Sequence, residues 1–306
     1  MILAAGLTPA YQQMLVFDDF RLGEVNRARQ VFKCASGKVL NVGLALHHLG
    51  GTNMTLALIG GLEGESIDRE FASLGISRRW IWSPKPTRIC TTILDRSGGA
   101  ATELVENALP VEAEQLDQFS ETFGGLAGTA RIVVLSGSLP AGAPKAFYRD
   151  LIGRTGARVI LDASGQELLA ALPLHPFCVK PNREELSRTL GRELNTESDL
   201  KAALREVQRL GAEWVVVSQG SKMLWASGEG KLYLFQPAKV QTVNPIGSGD
   251  CLAAGIAWAL RSGMEMSDAI HFGMAAAAEN ASMMLPGRLD LDRVRALVPR
   301  IIQREA

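Results

Sequence analysis

Four short apolar runs, Ile132-Val133-Val134-Leu135, Val159-Ile160-Leu161, Phe177-Cys178-Val179 and Trp214-Val215-Val216-Val217, decide how this sequence folds. Each is too short for a helix and lacks the polar alternation of a strand with one wet face, so each predicts a strand buried on both sides. Helical stretches separate them. The clearest spans 199–210, where Leu200, Ala203, Leu204, Val207 and Leu210 fall on one face. Strands and helices in alternation predict an α/β fold with a mostly parallel sheet covered on both sides. After each run the chain turns small or polar: Ser136-Gly137-Ser138, Asp162-Ala163-Ser164-Gly165, Lys180-Pro181-Asn182 and Ser218-Gln219-Gly220. Ligands of such sheets bind beyond the carboxyl ends of the strands, so these four ends are expected around one cleft.

Towards the amino terminus the pattern continues with a short strand at 1–6, a helix over 36–49 and a buried strand at 54–59 broken by Gly60-Gly61. Two stretches do not fit the alternation. Residues 10–33 are mixed in polarity, with alternation at 29–33. Residues 87–95 are β-branched and partly alternating, and 102–106 are expected to pair with them. The resulting division is an α/β domain made of 1–9, 34–84 and 107–306, with a small β lid formed by 10–33 and 85–106.

With 306 residues, 47% hydrophobic and 21% charged, the chain reads as a globular protein with a sizeable core. Lys plus Arg equals Asp plus Glu, 32 of each, and no basic run stands out, which argues against nucleic acid or an anionic membrane as partner. No stretch approaches the roughly 18 apolar residues of a membrane span, and residues 1–9 lack the features of a signal peptide. Cys34, Cys90, Cys178 and Cys251 form no C-x-x-C pair, and His47, His48, His175 and His271 lack zinc spacing. A reducing cytoplasmic setting is expected.

Three groups of residues carry chemistry. In Val243-Asn244-Pro245-Ile246-Gly247-Ser248-Gly249-Asp250, two glycines and a serine lead straight into a small-residue helix. Unpaired N–H groups and the helix dipole make such a loop an anion cradle. Asp250 in the first turn is then either an ordinary N-terminal carboxylate or a general base beside a phosphate. Asn182 and Glu185, one turn into the helix after the third run, suit either a hydrated magnesium ion on phosphates or a capping arrangement. Lys38 beside Gly37, and Arg88 at the start of a polar-faced strand, suit a second anionic group or a solvated surface.

Taken in order, these motifs resemble the PfkB (ribokinase-like) carbohydrate kinases over nearly the full length, most closely the branch with 1-phosphofructokinase and tagatose-6-phosphate kinase. Asn244-Pro245-Ile246-Gly247-Ser248-Gly249-Asp250 is similar to that family's N-T-x-G-A-G-D signature. Leu135 to Pro140, Leu161 to Gly165, Val179 to Asn182 with Glu185, Val217-Ser218 with Gly220, residues 23–27 and Gly37-Lys38 with Asn41 match its other landmarks. The resemblance implies a ribokinase-like three-layer α/β/α domain with a β-sheet lid, and ATP- and Mg2+-dependent phosphorylation of a sugar hydroxyl. It implies Asp250 as the base and Gly247, Ser248 and Gly249 as the anion hole. Loss of Asp250 would then cost several orders of magnitude in rate. Asn182 and Glu185 would organise magnesium and the nucleotide phosphates, Glu185 being the metal residue, with Ser218, Gly220 and Asn280 near the nucleotide. Gln12, Gly37, Asn41, Lys38, Arg88 and Ser138 would hold the substrate, the last three through a phosphate it already carries. If 10–33 and 85–106 form a sheet with one apolar and one polar face, a homodimer through the lid is expected, and the resemblance allows it.

The sequence departs from the branch at the sugar end. The usual T-x-N-P-A-x-D stretch has Thr8 for Asn and Gln12 for Asp. Gln gives no charge-assisted bond, a loss of about 1 kcal/mol or more per sugar hydroxyl. G-G-K-G is here Ser36-Gly37-Lys38-Val39, Pro245 replaces Thr, and Met223 stands where a glycine is usual. If the last glycine of G-G-K-G serves a positive φ, Val39 cannot reproduce it. The expected function is thus a sugar-phosphate kinase with an altered sugar end. The alternatives are a PfkB kinase for a free sugar or nucleoside, or a sugar-phosphate sensor without turnover.

Overall fold

The computed structural model describes residues 1–305. The chain runs β1 (Ile2–Gly6), β2 (Ala10–Phe17), β3 (Gln30–Ser36), α1 (Lys38–His48), β4 (Asn53–Ile59), α2 (Gly61–Ser73), β5 (Arg78–Trp82), β6 (Ile89–Asp95) and β7 (Ala100–Val105). It continues through α3 (Ala113–Ala127), β8 (Ile132–Ser136), α4 (Phe147–Ile152), β9 (Arg158–Asp162), α5 (Gly165–Ala171), β10 (Cys178–Val179), α6 (Arg183–Leu190) and α7 (Glu197–Arg209). It closes with β11 (Trp214–Val217), β12 (Leu224–Gly228), β13 (Lys231–Gln236), α8 (Ser248–Arg261), α9 (Met266–Ala281), α10 (Leu291–Leu297) and β14 (Ile302–Glu305).

The large sheet has the order β14-β13-β12-β11-β10-β9-β8-β1-β4-β5. From β11 to β5 every neighbour is parallel. The remaining three strands are antiparallel. Alternate strand residues enter two separate cores, which is why the strands read as unbroken apolar runs. Ile132, Val134, Ile160 and Val216 pack beneath α1, α8 and α9, while Val133, Leu135, Leu161 and Val215 pack beneath α3 and α7. The three-layer α/β architecture is therefore as expected.

Helices α8 and α9 are rich in small residues because they touch. A Cβ on Gly255 would lie 2.6 Å from the Cα of Gly273. Such closeness excludes any larger residue at this crossing. The packed pair fixes the start of α8, where the expected anion cradle sits.

A separate four-stranded sheet has the order β3-β2-β6-β7. Its central strand β2 runs antiparallel to β3 and parallel to β6. Along β2, Ala10, Gln12, Met14 and Val16 are buried while Tyr11, Gln13 and Leu15 are half-buried. This alternation turns one face onto the main body, where the Met14 sulfur lies 3.3 Å from the Asn244 amide. The other face leaves Val31 and Leu104 exposed.

Candidate active site

The loop before α8 is held by two buried asparagines. Asn244 accepts from the Ile246 N–H at 3.1 Å and donates to the Met284 carbonyl at 2.9 Å. Asn280 donates to the Ile246 carbonyl at 2.8 Å and accepts from the Gly287 N–H at 2.8 Å. Gly247 caps the helix at φ 81°, and a Cβ there would lie 2.8 Å from Pro286 and 3.2 Å from Asn41. Both the backbone conformation and the space demand glycine. Gly247, Ser248 and Gly249 line the cleft at the start of α8, where the Ser248 N–H donates to the Pro245 carbonyl at 3.2 Å.

Asp250 lies in this first turn, 6% exposed, and its Oδ2 accepts from Asn41 Nδ2 at 2.8 Å. Burial is the main cause that pushes its pKa up to about 7, and the neighbouring Asp162 carboxylate adds to it. Lys38, Asn41 and Lys180 oppose that rise. A carboxylate poised near neutral pH, at the mouth of a helix N-terminus, suits proton abstraction.

Beside it lies a charge cluster drawn from four elements, buried at Asp162 and Lys180 and half-buried at Lys38 and Glu185. Asp162, at the end of β9 and fully buried, pairs through Oδ1 with Lys38 Nζ at 2.9 Å and through Oδ2 with Lys180 Nζ at 3.1 Å. Lys38 also lies 3.1 Å from Glu185 Oε1. Burial would raise Asp162, but the two ammonium groups hold its carboxyl below its ordinary value. Burial would lower Lys38, yet Asp162, Glu185 and Asp250 together keep its ammonium above its ordinary value.

Asn182 and Glu185 form a reciprocal capping box on α6, with both backbone-to-side-chain bonds at 2.8 Å. The capping alternative is therefore real, but it uses only Glu185 Oε2. Oε1 faces Lys38 in the cleft, so one hard carboxylate oxygen stands where a cation is already favoured. That donor chemistry fits a hydrated magnesium ion.

A cleft of about 370 Å³ joins these groups to the small sheet. It is lined by Asp250, Gly247, Ser248, Gly249, Lys38, Gly37, Asn41, Glu185, Asn182 and Ser218, and from the small sheet by Gln12, Arg88, Cys90, Glu103 and Val105. Asn182 and Ser218 also line an adjoining cavity of about 450 Å³, together with Arg183, Asn195, Gly220 and Lys222. The ends of β9, β10 and β11 thus meet the α8 loop at one place.

Not every expected site residue faces the cleft. Asn280 is buried behind the α8 loop as its brace, also reaching Ser248 Oγ at 3.1 Å. Ser138 is exposed, and its carbonyl accepts from Thr8 Oγ1 at 3.0 Å. Arg88 lines the cleft with its guanidinium on the carbonyls of Thr8, Pro9 and Glu106. Gln12 is buried and donates to Thr92 Oγ1 at 2.6 Å. Val39 lies inside α1 in the core, and the positive φ falls on Gly37 at 86°, so the valine imposes no strain.

Asp162 and Lys180 stand at strand ends where the sequence carries no local signal of a role. A lone Asp or Lys after a strand is ordinary, and only their pairing identifies them. Cys90, Glu103 and Val105 were missed because the register of β6 and β7 brings them to the cleft.

The α/β fold of this topology gathers the glycine-rich start of α8, Asp250 and a mixed charge cluster in one cleft. The pfkB family carbohydrate kinase model matches residues 3–287, and the chain belongs to that family of kinases. Phosphofructokinase-2 from Escherichia coli in complex with fructose-6-phosphate is 25% identical over 98% of this chain and 99% of that one, with a TM-score of 0.87. The tetrameric inhibited form of the same enzyme is 25% identical over 97% and 98%, with a TM-score of 0.88. A protein described as a possible 1-phosphofructokinase from Thermotoga maritima shares the fold, with 21% identity, a TM-score of 0.92, and 100% and 99% coverage. No helix among the described residues is long and apolar enough to cross a membrane.

Proposed function

We propose that the chain is an ATP-dependent kinase acting on a hydroxyl of a sugar phosphate, in the manner of 1-phosphofructokinase or tagatose-6-phosphate kinase. The observation that carries this reading is the placement of Asp250 and its anion cradle in the same cleft as Lys38 and Arg88. Asp250 takes the proton of the attacking hydroxyl, and its environment near pH 7 keeps a working fraction ionised. The N–H groups of Gly247, Ser248 and Gly249 bind the charge that develops on the transferred group. Little covalent chemistry falls to the protein in phosphoryl transfer, so this positioning accounts for most of the rate.

Magnesium bound by Glu185 and Asn182 would neutralise phosphate charge. Ser218 and Gly220 line the side cavity that suits the nucleotide. Lys38 and Arg88 hold the phosphate already present on the substrate, with Gln12, Gly37 and Asn41 on the sugar. Segments 10–33 and 85–106 act as the lid of this cleft. Its exposed outer residues Val31 and Leu104 support a homodimer through the lid. Four free buried cysteines suit the cytoplasm.

A free sugar as substrate is the second reading, favoured by one observation: Lys38 is engaged by Asp162 and Glu185. ATP turnover with ketose and aldose phosphates beside free sugars separates the two. Activity confined to free sugars would overturn the phosphate assignment.

A further inference from the structure

The position that opens the Ser36-Gly37-Lys38-Val39 stretch holds a hydroxyl where the resembling pattern has glycine. Ser36 is the last residue of β3 and is buried, as is Asn41 one turn into α1. Ser36 Oγ donates to Asn41 Oδ1 at 3.2 Å, and Asn41 Nδ2 donates to Asp250 Oδ2 at 2.8 Å. We infer that Ser36 is a positioning residue for Asp250, acting through the Asn41 amide. The inference rests on the reading of Asp250 as the base.

The physical reason lies in the direction of the chain. Each donor points its hydrogen towards the carboxylate, so the hydroxyl and amide dipoles add, and donors in series polarise one another. A hydrogen bond that ends on a charge is stronger than one between neutral groups. The chain therefore favours the ionised form of Asp250 and fixes the carboxylate that must face the substrate. The other charged groups around Asp250 are Asp162, Lys38 and Lys180, with Glu185 beyond Lys38. None of them bonds to Ser36, so its replacement leaves that cluster intact. A purely structural role, satisfying one buried hydroxyl, would leave the ionisation of Asp250 unchanged.

The test reads that ionisation directly, without any substrate. Protein carrying 13C-carboxyl aspartate is titrated by NMR, with the Asp250 signal assigned by its loss in Asp250→Asn. Ser36→Ala, with Ser36→Gly as a second donor-free variant, is expected to raise the Asp250 pKa by about 0.5 pH unit, and Ser36→Thr to restore the wild-type value. On the acid side of the pH profile the same shift lowers kcat/KM about threefold. A titration that moves by less than about 0.3 unit, or downwards, overturns the inference. Turnover by Asp250→Asn tests the base assignment separately: a variant that keeps wild-type activity removes the base, whatever Ser36 does.

Discussion

Lys38 Nζ lies 3.1 Å from Glu185 Oε1, so the lysine expected at the sugar phosphate is bound to the carboxylate expected at magnesium. The two ends of the proposed reaction are joined by one flexible cation. Replacement by Lys38→Met removes a charge-assisted contact worth about 1.5–3 kcal/mol, and KM for a sugar phosphate is expected to rise about 10- to 100-fold. The same change removes a positive charge that favours the Asp250 carboxylate, so the acid limb of kcat/KM moves to higher pH. Steady-state kinetics at pH 6.5 and 8.5 check both effects.

Asp250 itself sets the pH dependence. Its folded pKa of about 7 lies above the ordinary carboxylate value of 3.8, so the folded state holds a proton that the unfolded state has lost between those values. Stability from this group is present below about pH 4 and is lost as pH rises towards 7. Activity runs the opposite way, rising with pH through about 7 as the base ionises. Asp250→Asn removes the buried charge, so thermal melts should show it more stable than wild type at pH 8, with a smaller difference at pH 5. Equal melting shifts at both pH values would contradict the raised pKa.

Asp162 holds the two lysines of the charge cluster together. Asp162→Asn leaves Lys38 and Lys180 without their shared carboxylate. Breaking a buried pair costs about 3–5 kcal/mol, which for a chain of this size lowers Tm by roughly 5–8 °C. Differential scanning calorimetry reads the drop, and a shift under about 2 °C would show the cluster to be energetically minor.

Much of the core was legible because burial on both faces leaves an unmistakable run of apolar residues. Ile132 to Leu135 and Trp214 to Val217 could be read as central strands from composition alone. The antiparallel end of the sheet was not. Its hairpin turns through Glu229 and Gly230, both at positive φ, and a Glu-Gly pair is a weak signal beside Asn-Gly. The charge cluster was harder still. Lys38 reaches partners 124 and 147 residues away, and no local pattern encodes such distances. The same separation explains why Asn182 and Glu185 read by themselves more readily as a cap than as a metal site: the cap is local, whereas Lys38 approaches from another element.

The outer face of the small sheet gives a prediction about assembly. Val31 and Leu104 are about half exposed. Wild type is expected to sediment as a dimer at micromolar concentration, and Val31→Glu with Leu104→Glu as a monomer. A wild-type monomer would remove the lid interface.

The most direct measurement is MgATP turnover across ketose and aldose phosphates and the matching free sugars, with wild type and Asp250→Asn side by side. We predict phosphorylation of at least one sugar phosphate by wild type, and a loss of about a thousandfold or more in Asp250→Asn. Turnover of free sugars alone, or an Asp250→Asn variant as active as wild type, would contradict the proposed function.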